Sequence, residues 1–311
     1  MRRAKTLDFI GFKEKKNAIL TQTRLLLALA TALVASSAFG FETLNVWPST
    51  PPGDKAEQYK ENGGPYYTPT LEFWAPKAPK TDACLIICCG GAYNGVAYDY
   101  EGVMPRDFFV ENGVAVVMLR YRTPRRPGVE KHRAAWQDVQ RTIRIVRSKA
   151  DEWGINPEKI GVMGFSAGGH LTLMAATTSQ TPAYEPVDDL DKTPCHLNFA
   201  VPIYPAYALS DGVDGENKNR GNDATLVADF AFDAKTPPMC FIHGDGDGYS
   251  PAGSVAVYLQ LRKMNIPAEL HIFALADHAF RNQPQDAPIR KYPSRVLEWL
   301  QSMKIVEKPA K

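Results

Sequence analysis

Residues 160–170 read IGVMGFSAGGH and contain the G-x-S-x-G motif that decides the fold. An apolar run typical of a buried strand leads into the motif, and small residues compatible with a helix follow it. This order predicts a nucleophile elbow, in which Ser166 lies on a sharp turn with a strained backbone. Glycine is required at Gly164 and Gly168 because side chains there would collide with the neighbouring strand and helix.

The rest of the chain alternates short apolar runs with stretches of helical period, which is typical of a parallel sheet covered by helices on both faces. We therefore predict an α/β fold with a mostly parallel central sheet whose first strand is an antiparallel edge. The predicted strands are residues 70–74, 83–88, 114–119, 160–163, 199–203, 239–243 and 269–273. Helices are predicted at residues 168–177, 253–264 and 289–303 and around an apolar stripe of Trp136, Val139, Ile143, Val146 and Ala150.

Two polar features accompany these elements. Arg141, Arg144 and Arg147 lie opposite the apolar stripe of their helix, and we interpret them as a solvated face. Residues 178–196 and 206–236 form polar segments that are too long to be ordinary turns. Each segment is interpreted either as a loop that lines a functional site or as a mobile surface insertion, with equal weight.

A serine hydroxyl becomes a good nucleophile only when a base removes its proton, so Ser166 requires a histidine and an orienting carboxylate. Enzymes with this elbow carry them in the order Ser, Asp, His. Among the six histidines, His278 fits best because it follows the last predicted strand. Asp245 and Asp247 both lie in the glycine-rich loop after residues 239–243, and local reasoning does not separate them.

Acyl transfer also needs N–H donors that stabilise a developing oxyanion. The elbow supplies one donor through the backbone of Ala167. A second is expected from Gly91 or Ala92, because the GGAY loop follows the strand at residues 83–88. Tyr93 in the same loop is assigned to substrate binding. The aromatic residues of the following YDYEG stretch, residues 98–102, are interpreted as a substrate platform or as packing.

The amino-terminal residues have the layout of a secretory signal peptide. A basic region is followed by an apolar run of 11 residues and then by small residues, so we predict a signal peptide at residues 1–38. An uncleaved anchor is the weaker alternative, because the run is about half the length that spans a bilayer. A signal peptide implies that the protein is exported to the periplasm or the medium. We expect no association of the mature chain with the membrane.

Residues 39–311 are predicted to form a single domain. The predicted signal removes seven basic and two acidic residues, which leaves 29 basic and 32 acidic ones and a net charge of −3. This balance excludes the basic surface that nucleic-acid binding needs. Four of the five cysteines lie in apolar runs, so they are predicted to be core thiols, and no disulfide framework is needed. We expect neither a metal nor an organic cofactor, since Asp245 and Asp247 lack the partners of a calcium loop.

The chain resembles α/β-hydrolases of the secreted carbohydrate-esterase type, close to the acetylxylan and feruloyl esterase-like group called BD-FAE-like. The stretches that carry the resemblance are GGAY, YDYEG, WGINPEKIGVMGFSAGGH, TPPMCFIHGDGDGYSP and IPAELHIFALADHAF. The resemblance implies a Ser-His-Asp carboxylic ester hydrolase that acts on acetylated or feruloylated plant polysaccharide fragments.

In that family the catalytic acid lies four residues after the histidine that ends its strand, which favours Asp247 over Asp245. The sequence departs from the family pattern at Cys89 and Ala92, near the expected oxyanion donors, and at Ala279, after the expected catalytic histidine.

Two alternative functions are kept. A serine peptidase of the prolyl-oligopeptidase type shares the elbow and the order of the three residues, but it normally carries an amino-terminal propeller, for which the segment before the first strands is too short. A non-catalytic binding protein on the same scaffold is disfavoured because such proteins usually lose one of the three residues, and all three are present here.

Overall fold

The computed structural model describes residues 41–55, 68–212 and 223–307. The predicted signal peptide, residues 1–38, lies outside the described residues and stays a prediction. No helix in these described ranges is long and apolar enough to cross a membrane. Residues 42–311 form one compact unit.

Eight strands form one mostly parallel sheet, which confirms the predicted fold class. They are β1 (Phe41–Asn45), β2 (Thr70–Trp74), β3 (Cys84–Cys88), β4 (Ala115–Arg120), β5 (Ile160–Phe165), β6 (Phe199–Ile203), β7 (Met239–Gly244) and β8 (Ala268–Phe273). Their order in the sheet is β1-β2-β4-β3-β5-β6-β7-β8. The strands from β3 onward pair in parallel, and β2 pairs antiparallel with β4. The prediction that β2 is an edge strand is wrong, because β1 lies outside it.

Helices cover both faces of the sheet. The α-helices are α1 (Met104–Glu111), α2 (Arg133–Ser148), α3 (Ala150–Trp153), α4 (Ala167–Thr177), α5 (Ala252–Lys263) and α6 (Tyr292–Ser302). A π-helix spans Asp99–Val103, and short 3-10 helices span Asp189–Lys192, Ser210–Gly212, His278–Phe280 and Pro288–Lys291. Helices α2, α4 and α5 pack on one face, and α1 and α6 pack on the other.

Strand β3 shows why these runs form a two-sided sheet. Side chains alternate between faces along a strand, so Ile86 packs with α2 and α4, whereas Leu85 and Ile87 pack with α1 and α6. Every residue of β3 is buried, which explains its continuous apolar run. The cysteines are free and buried, as predicted for four of them: they are Cys84, Cys88, Cys89, Cys195 and Cys240.

The interpretation of the three arginines of α2 as a solvated face is wrong. Arg141 donates to both carboxylate oxygens of Asp188, at 2.7 and 2.6 Å, and Arg147 donates to the carbonyl oxygens of Pro194 and His196. The polar segment 178–196 therefore packs over this face of the helix. Periodicity identifies the apolar face of a helix, but it does not show whether a later segment covers the other face.

A buried ionic network joins the start of the described chain to β4 and α2. Asp138 of α2 has no solvent exposure and accepts hydrogen bonds from the Trp47 indole at 2.7 Å and from Arg122 Nε at 2.9 Å. The backbone N–H of Arg122 also donates to Asp138, at 2.7 Å. The guanidinium continues to the carbonyl oxygens of Pro52 and Ala134. Asp138 thus holds three segments that are distant in sequence.

We expect Asp138→Ala to lower the free energy of unfolding by about 3–5 kcal/mol, because it leaves three buried N–H donors of Trp47 and Arg122 without their acceptor, although Asp54 still pairs with the guanidinium at 3.2 Å. Urea denaturation followed by circular dichroism measures this change. Lys192→Ala removes an ion pair with Asp189 in which both side chains are more than four-fifths exposed, so it is the control and is expected to change stability little. Equal stability of the two variants would contradict the role assigned to Asp138.

Candidate active site

The elbow has the strained geometry that its sequence predicts. Ser166 lies between β5 and α4 with φ of 54° and ψ of −118°, a conformation that side chains rarely adopt. A Cβ atom at Gly164 would collide with the Gly168 carbonyl, and one at Gly168 would collide with the Cys88 carbonyl of β3. The two glycines therefore allow α4 to start directly against the sheet.

Ser166, His278 and Asp247 form a continuous hydrogen-bonded row. Ser166 Oγ is 2.8 Å from His278 Nε2, and His278 Nδ1 is 2.9 and 2.8 Å from the two carboxylate oxygens of Asp247. A carboxylate only accepts, so Nδ1 carries the proton and Nε2 is free to accept one from the serine. The three residues follow β5, β7 and β8, whose carboxyl ends lie along one edge of the sheet. Asp247, not Asp245, meets the histidine.

Asp247 is held as an anion in a buried position. Burial raises the pKa of this carboxyl, but hydrogen bonds with His243 and His278 outweigh it, and the pKa lies below its ordinary value. The backbone N–H of Tyr249 donates to the same carboxylate at 2.8 Å. An ionised Asp247 therefore favours a proton on His278 Nδ1 at neutral pH.

His243 supports the acid loop, a role that sequence analysis missed. Its Nε2 is 2.9 Å from the Tyr249 carbonyl oxygen and its Nδ1 is 2.9 Å from Ser254 Oγ. Because a carbonyl only accepts, Nε2 donates and Nδ1 accepts from the serine hydroxyl. The imidazole has no solvent exposure and ties the Asp247 loop to the start of α5. The sequence signal for this role was that His243 ends the predicted strand at residues 239–243.

The predicted oxyanion donors lie at the start of α4 and in the loop after β3. Ala167 is the first residue of α4, where backbone N–H groups have no partner within the helix. Gly91 and Ala92 have φ of 131° and 55°, and Gly90 before them lies against the elbow, since a Cβ atom there would come within 2.8 Å of the Phe165 carbonyl oxygen and of Ser166 Cβ. The side chain of Arg125 holds the loop through a hydrogen bond from Nε to the Ala92 carbonyl oxygen, 3.0 Å long.

The assignment of Tyr93 to substrate binding is corrected. Its side chain is 1% exposed, and its hydroxyl is 2.8 Å from His170 Nδ1 inside the fold. The His170 ring also packs near the rings of His132, Tyr207 and Phe230, at centroid distances of 5.2 to 6.0 Å. We refer to these five rings as the aromatic cluster. Tyr93 lies in the loop that carries the predicted oxyanion donors, residues 90–93, which we call the oxyanion loop. Its ring anchors this loop to the aromatic cluster instead of facing a substrate.

Glu101 is a second buried carboxyl group at the site, and sequence analysis missed it. It accepts hydrogen bonds from the backbone N–H of Gly90 at 2.5 Å and from the Tyr204 hydroxyl at 2.9 Å. The Tyr204 ring packs edge-on against His278 at a centroid distance of 5.2 Å. Burial raises the pKa of Glu101 above its ordinary value, although these hydrogen bonds oppose the shift. Glu101 thus connects the oxyanion loop to the ring beside His278.

The YDYEG stretch around Glu101 packs against its neighbours. The Tyr98 hydroxyl donates to Glu72, and the Tyr100 hydroxyl donates to the Ala279 carbonyl oxygen at 2.7 Å. Of the two interpretations of these aromatic residues, packing describes Tyr98, whereas Tyr100 is 49% exposed and keeps both interpretations. The sequence signal for Glu101 was its place in this stretch beside the aromatic residues.

A group of possible metal ligands lies elsewhere in the described part of the chain. Atoms of Cys240, Glu269 and His271 lie within 4.8 Å of one another on β7 and β8. His271 Nε2 is already 2.6 Å from the Glu269 carboxylate. Cys240 lies near the start of β7, whereas Asp247 follows its end. This group is therefore not part of the row at Ser166.

A family model named BD-FAE matches residues 71–231, which are just over half of the chain. The chain belongs to the BD-FAE family. The matched region contains Ser166 and the oxyanion loop and ends before Asp247 and His278.

The chain is also similar to curated relatives and to solved structures. The acetylxylan esterase of Xylanibacter ruminicola is 28% identical over 205 residues, which are 61% of this chain and 39% of that protein. Endo-1,4-beta-xylanase B of Butyrivibrio fibrisolvens is 25% identical over 207 residues, 63% of this chain and 32% of that protein. This chain therefore spans less than half the length of each of these relatives.

The structure of an acetyl ester-xyloside bifunctional hydrolase from Caldicellulosiruptor lactoaceticus has a TM-score of 0.66 at 24% identity, covering 85% of this chain and 97% of that one. This likeness shows the α/β-hydrolase fold.

In this BD-FAE protein we expect Asp247→Asn to slow the labelling of Ser166 by a fluorophosphonate about 10³- to 10⁴-fold, because the amide favours the wrong tautomer of His278. Mass spectrometry of the intact protein over time measures the rate. Asp245→Asn is the matched control in the same loop and is expected to label at the wild-type rate. The reverse pattern, with Asp245→Asn slow, would show that the other aspartate orients the histidine.

We expect Glu101→Gln to lower the limiting rate of the same labelling about 10-fold, because the amide offers one acceptor where the carboxylate offers two and the oxyanion loop shifts. The reagent concentration that gives half the limiting rate is expected to stay near the wild-type value. Glu111→Gln, on the exposed end of α1, is the control. A loss of thermal stability large enough to explain the slower labelling would contradict a positioning role.

Proposed function

We propose that this protein is a serine carboxylic ester hydrolase that removes acetyl or other acyl groups from plant polysaccharide fragments such as acetylated xylan. The observation that carries the proposal is the row from the Ser166 hydroxyl through His278 to the Asp247 carboxylate. Such a row activates a hydroxyl for attack on a carbonyl carbon. Membership of the BD-FAE family and similarity to an acetylxylan esterase support the same chemistry.

Acylation starts when Ser166 Oγ attacks the ester carbonyl carbon and His278 Nε2 accepts the hydroxyl proton. The carbonyl oxygen gains the negative charge of the tetrahedral intermediate, and the N–H groups of Ala167 and of Gly91 or Ala92 stabilise it. The intermediate collapses, the bond to the alcohol oxygen breaks, and that oxygen takes the proton from His278. Asp247 stabilises the imidazolium that forms between these steps.

Deacylation repeats the sequence with water as the nucleophile. His278 removes a proton from a water molecule, whose oxygen attacks the acyl carbon bound to Ser166. The second intermediate collapses with return of the proton to Ser166 Oγ, and the free acid leaves. The complete cycle consumes one ester and one water molecule and releases one alcohol and one acid. His278 makes each proton transfer in it.

The choice of substrate rests on the named relatives. An acetylxylan esterase, a xylanase and an acetyl ester-xyloside hydrolase are all similar to this chain, and the first and third names describe acetyl esters. We therefore propose a carbohydrate as the alcohol part of the ester and acetate as the first acyl group to test. Export of the mature chain is proposed with it, since a plant polymer is met outside the cell.

Ser166→Ala is expected to lower kcat for acetate release from acetylated xylo-oligosaccharides by about 10⁴- to 10⁶-fold with the fold intact, because the nucleophile is removed. Enzymatic detection of acetate measures release, and circular dichroism checks the fold. Ser179→Ala, in the segment after α4, is the matched control and is expected to retain full activity.

Parallel assays with p-nitrophenyl acetate and a peptide p-nitroanilide separate the alternatives. Cleavage of the aryl ester without acetate release from the oligosaccharide would retain the esterase and overturn the carbohydrate substrate. Faster cleavage of the peptide anilide than of either ester would indicate a peptidase. A folded wild-type protein that cleaves none of the three would indicate a binding protein on the hydrolase scaffold.

A further inference from the structure

A cavity of about 380 Å³ lies next to the active site and has no role in the mechanism above. Its volume falls in the range of sites that bind small molecules. Residues 125–132, α4 and parts of the polar segment 206–236 form its walls, so the described part of that segment lines a cavity, one of the two interpretations of its sequence. We call it the basic cavity, and its polar and aromatic walls include Arg125, Arg126, Lys131, His132, Tyr207 and Asp229.

One aromatic ring separates the wall of the basic cavity from the catalytic histidine. Tyr207 lines the cavity and packs against the Tyr249 ring at 5.3 Å, and the Tyr249 ring packs against His278 at 4.9 Å. A single ring therefore bridges the cavity wall and the catalytic histidine. On another side, Arg125 of the cavity holds the Ala92 carbonyl of the oxyanion loop. A substrate larger than one acylated sugar can thus reach from Ser166 to the basic cavity.

Arg125 is the group most suited to bind an anion. Its half-buried guanidinium donates to two neutral acceptors, the Ala92 carbonyl oxygen at 3.0 Å and the Tyr207 hydroxyl at 3.4 Å. Among the residues that the structure describes, no carboxylate forms an ion pair with it. A guanidinium has five N–H donors, so three remain beyond these two contacts. The planar group matches the two oxygens of a carboxylate.

The other charges at the cavity are largely compensated by partners in the protein. Arg126 forms a two-pronged ion pair with Asp54, at 2.7 and 2.8 Å. Glu130 pairs with Arg133 at 3.2 Å. Neither pair adds net charge to the cavity.

The remaining charged groups of the described walls are Lys131 and Asp229. Lys131 Nζ lies 4.2 Å from the centre of the Tyr207 ring, on the same ring whose hydroxyl contacts Arg125. Burial lowers the pKa of His132 and of His170, so both rings are neutral at pH 7. Asp229 is the one remaining acidic residue of the cavity walls described here, and it is exposed to solvent. Within the described residues, Arg125 therefore keeps a positive charge that no carboxylate pairs with.

We propose that the basic cavity binds the carboxylate of a uronic acid residue in the substrate, next to the sugar whose ester is held at Ser166. Arg125 donates to the carboxylate, and Lys131 adds its charge from the neighbouring wall. This inference rests on the proposed function and narrows its substrate class to acidic acylated oligosaccharides.

The first experiment compares two acetylated xylo-oligosaccharides that differ only in one group. One carries a glucuronic acid branch, and in the other the carboxyl group of that branch is reduced to an alcohol. We expect kcat/KM to be about 10- to 100-fold higher for the acid, which is the size of a charge-assisted hydrogen bond, and the preference to shrink as salt concentration rises. Equal kcat/KM for the two substrates would overturn the proposal.

Variants then connect the preference to the cavity. Arg125→Gln and Lys131→Gln are each expected to reduce the preference for the acid at least several-fold. The preference is measured as the ratio of kcat/KM for the two substrates, because Arg125 also holds the oxyanion loop and its loss lowers kcat for both of them. The matched control Arg295→Gln, on the exposed face of α6, is expected to keep it. A preference that survives both cavity substitutions would overturn the proposal. Preference for methyl hydrogen succinate over methyl butyrate, without one for the uronic acid, would place the anion in the acyl group and overturn the assignment to a sugar.

A binding measurement separates this inference from the proposed function. Calorimetry with the Ser166→Ala protein and a deacetylated glucuronic acid-branched xylo-oligosaccharide requires no hydrolysis. Binding that weakens about 10-fold in the Ser166→Ala, Arg125→Gln double variant supports the basic cavity even if the wild-type protein cleaves no ester. Equal affinity for the acidic and the carboxyl-reduced oligosaccharide would overturn the inference even if the protein is an active esterase.

Discussion

Close contact between the first turn of α4 and the carbonyl groups of β3 and β5 is the constraint on which the active site depends. The helix can begin there only because Gly164 and Gly168 lack side chains, and its direction forces Ser166 into a strained conformation. That conformation presents the hydroxyl to His278 and leaves the N–H of Ala167, at the first position of α4, without a partner in the helix. The sheet is buried on both faces, so the strain is held by the whole core.

Buried polar side chains around this turn fix the loops that carry the reacting groups. His243 holds the loop of Asp247, and Glu101 holds the loop after β3 together with the ring beside His278. Catalytic groups that lie on loops need such support, because a shift of about 1 Å in their position slows a reaction about 10²-fold. His243 lies at the carboxyl end of β7, close to the catalytic Asp247, whereas Glu101 lies in the π-helix Asp99–Val103 between β3 and α1.

Local sequence patterns predict those parts of the structure that local physics determines. The apolar runs predict the strands, and the glycines around Ser166 predict the elbow, since both depend on neighbours along the chain. The partners of Glu101 come from distant segments, so its role required three-dimensional contacts. Tyr93, in the loop of the expected oxyanion donors, was assigned to substrate binding, but its ring lies in the core, on a backbone with φ of 59°. The interpretation of the α2 arginines was wrong for a related reason, since the partners of Arg141 and Arg147 lie 47 residues later in the chain.

The aromatic cluster around His170 lies under both the elbow and the basic cavity. His170 belongs to the first turns of α4, and its neutral, fully enclosed ring takes no part in proton transfer. Because the cluster is packed from rings on several segments, it holds the start of α4 in place when a cavity residue outside the cluster changes. Asp229 lines the cavity but belongs to neither the cluster nor the oxyanion loop, so it can be exchanged in evolution without moving the nucleophile. Specificity in this fold is free to diverge while the chemistry is inherited.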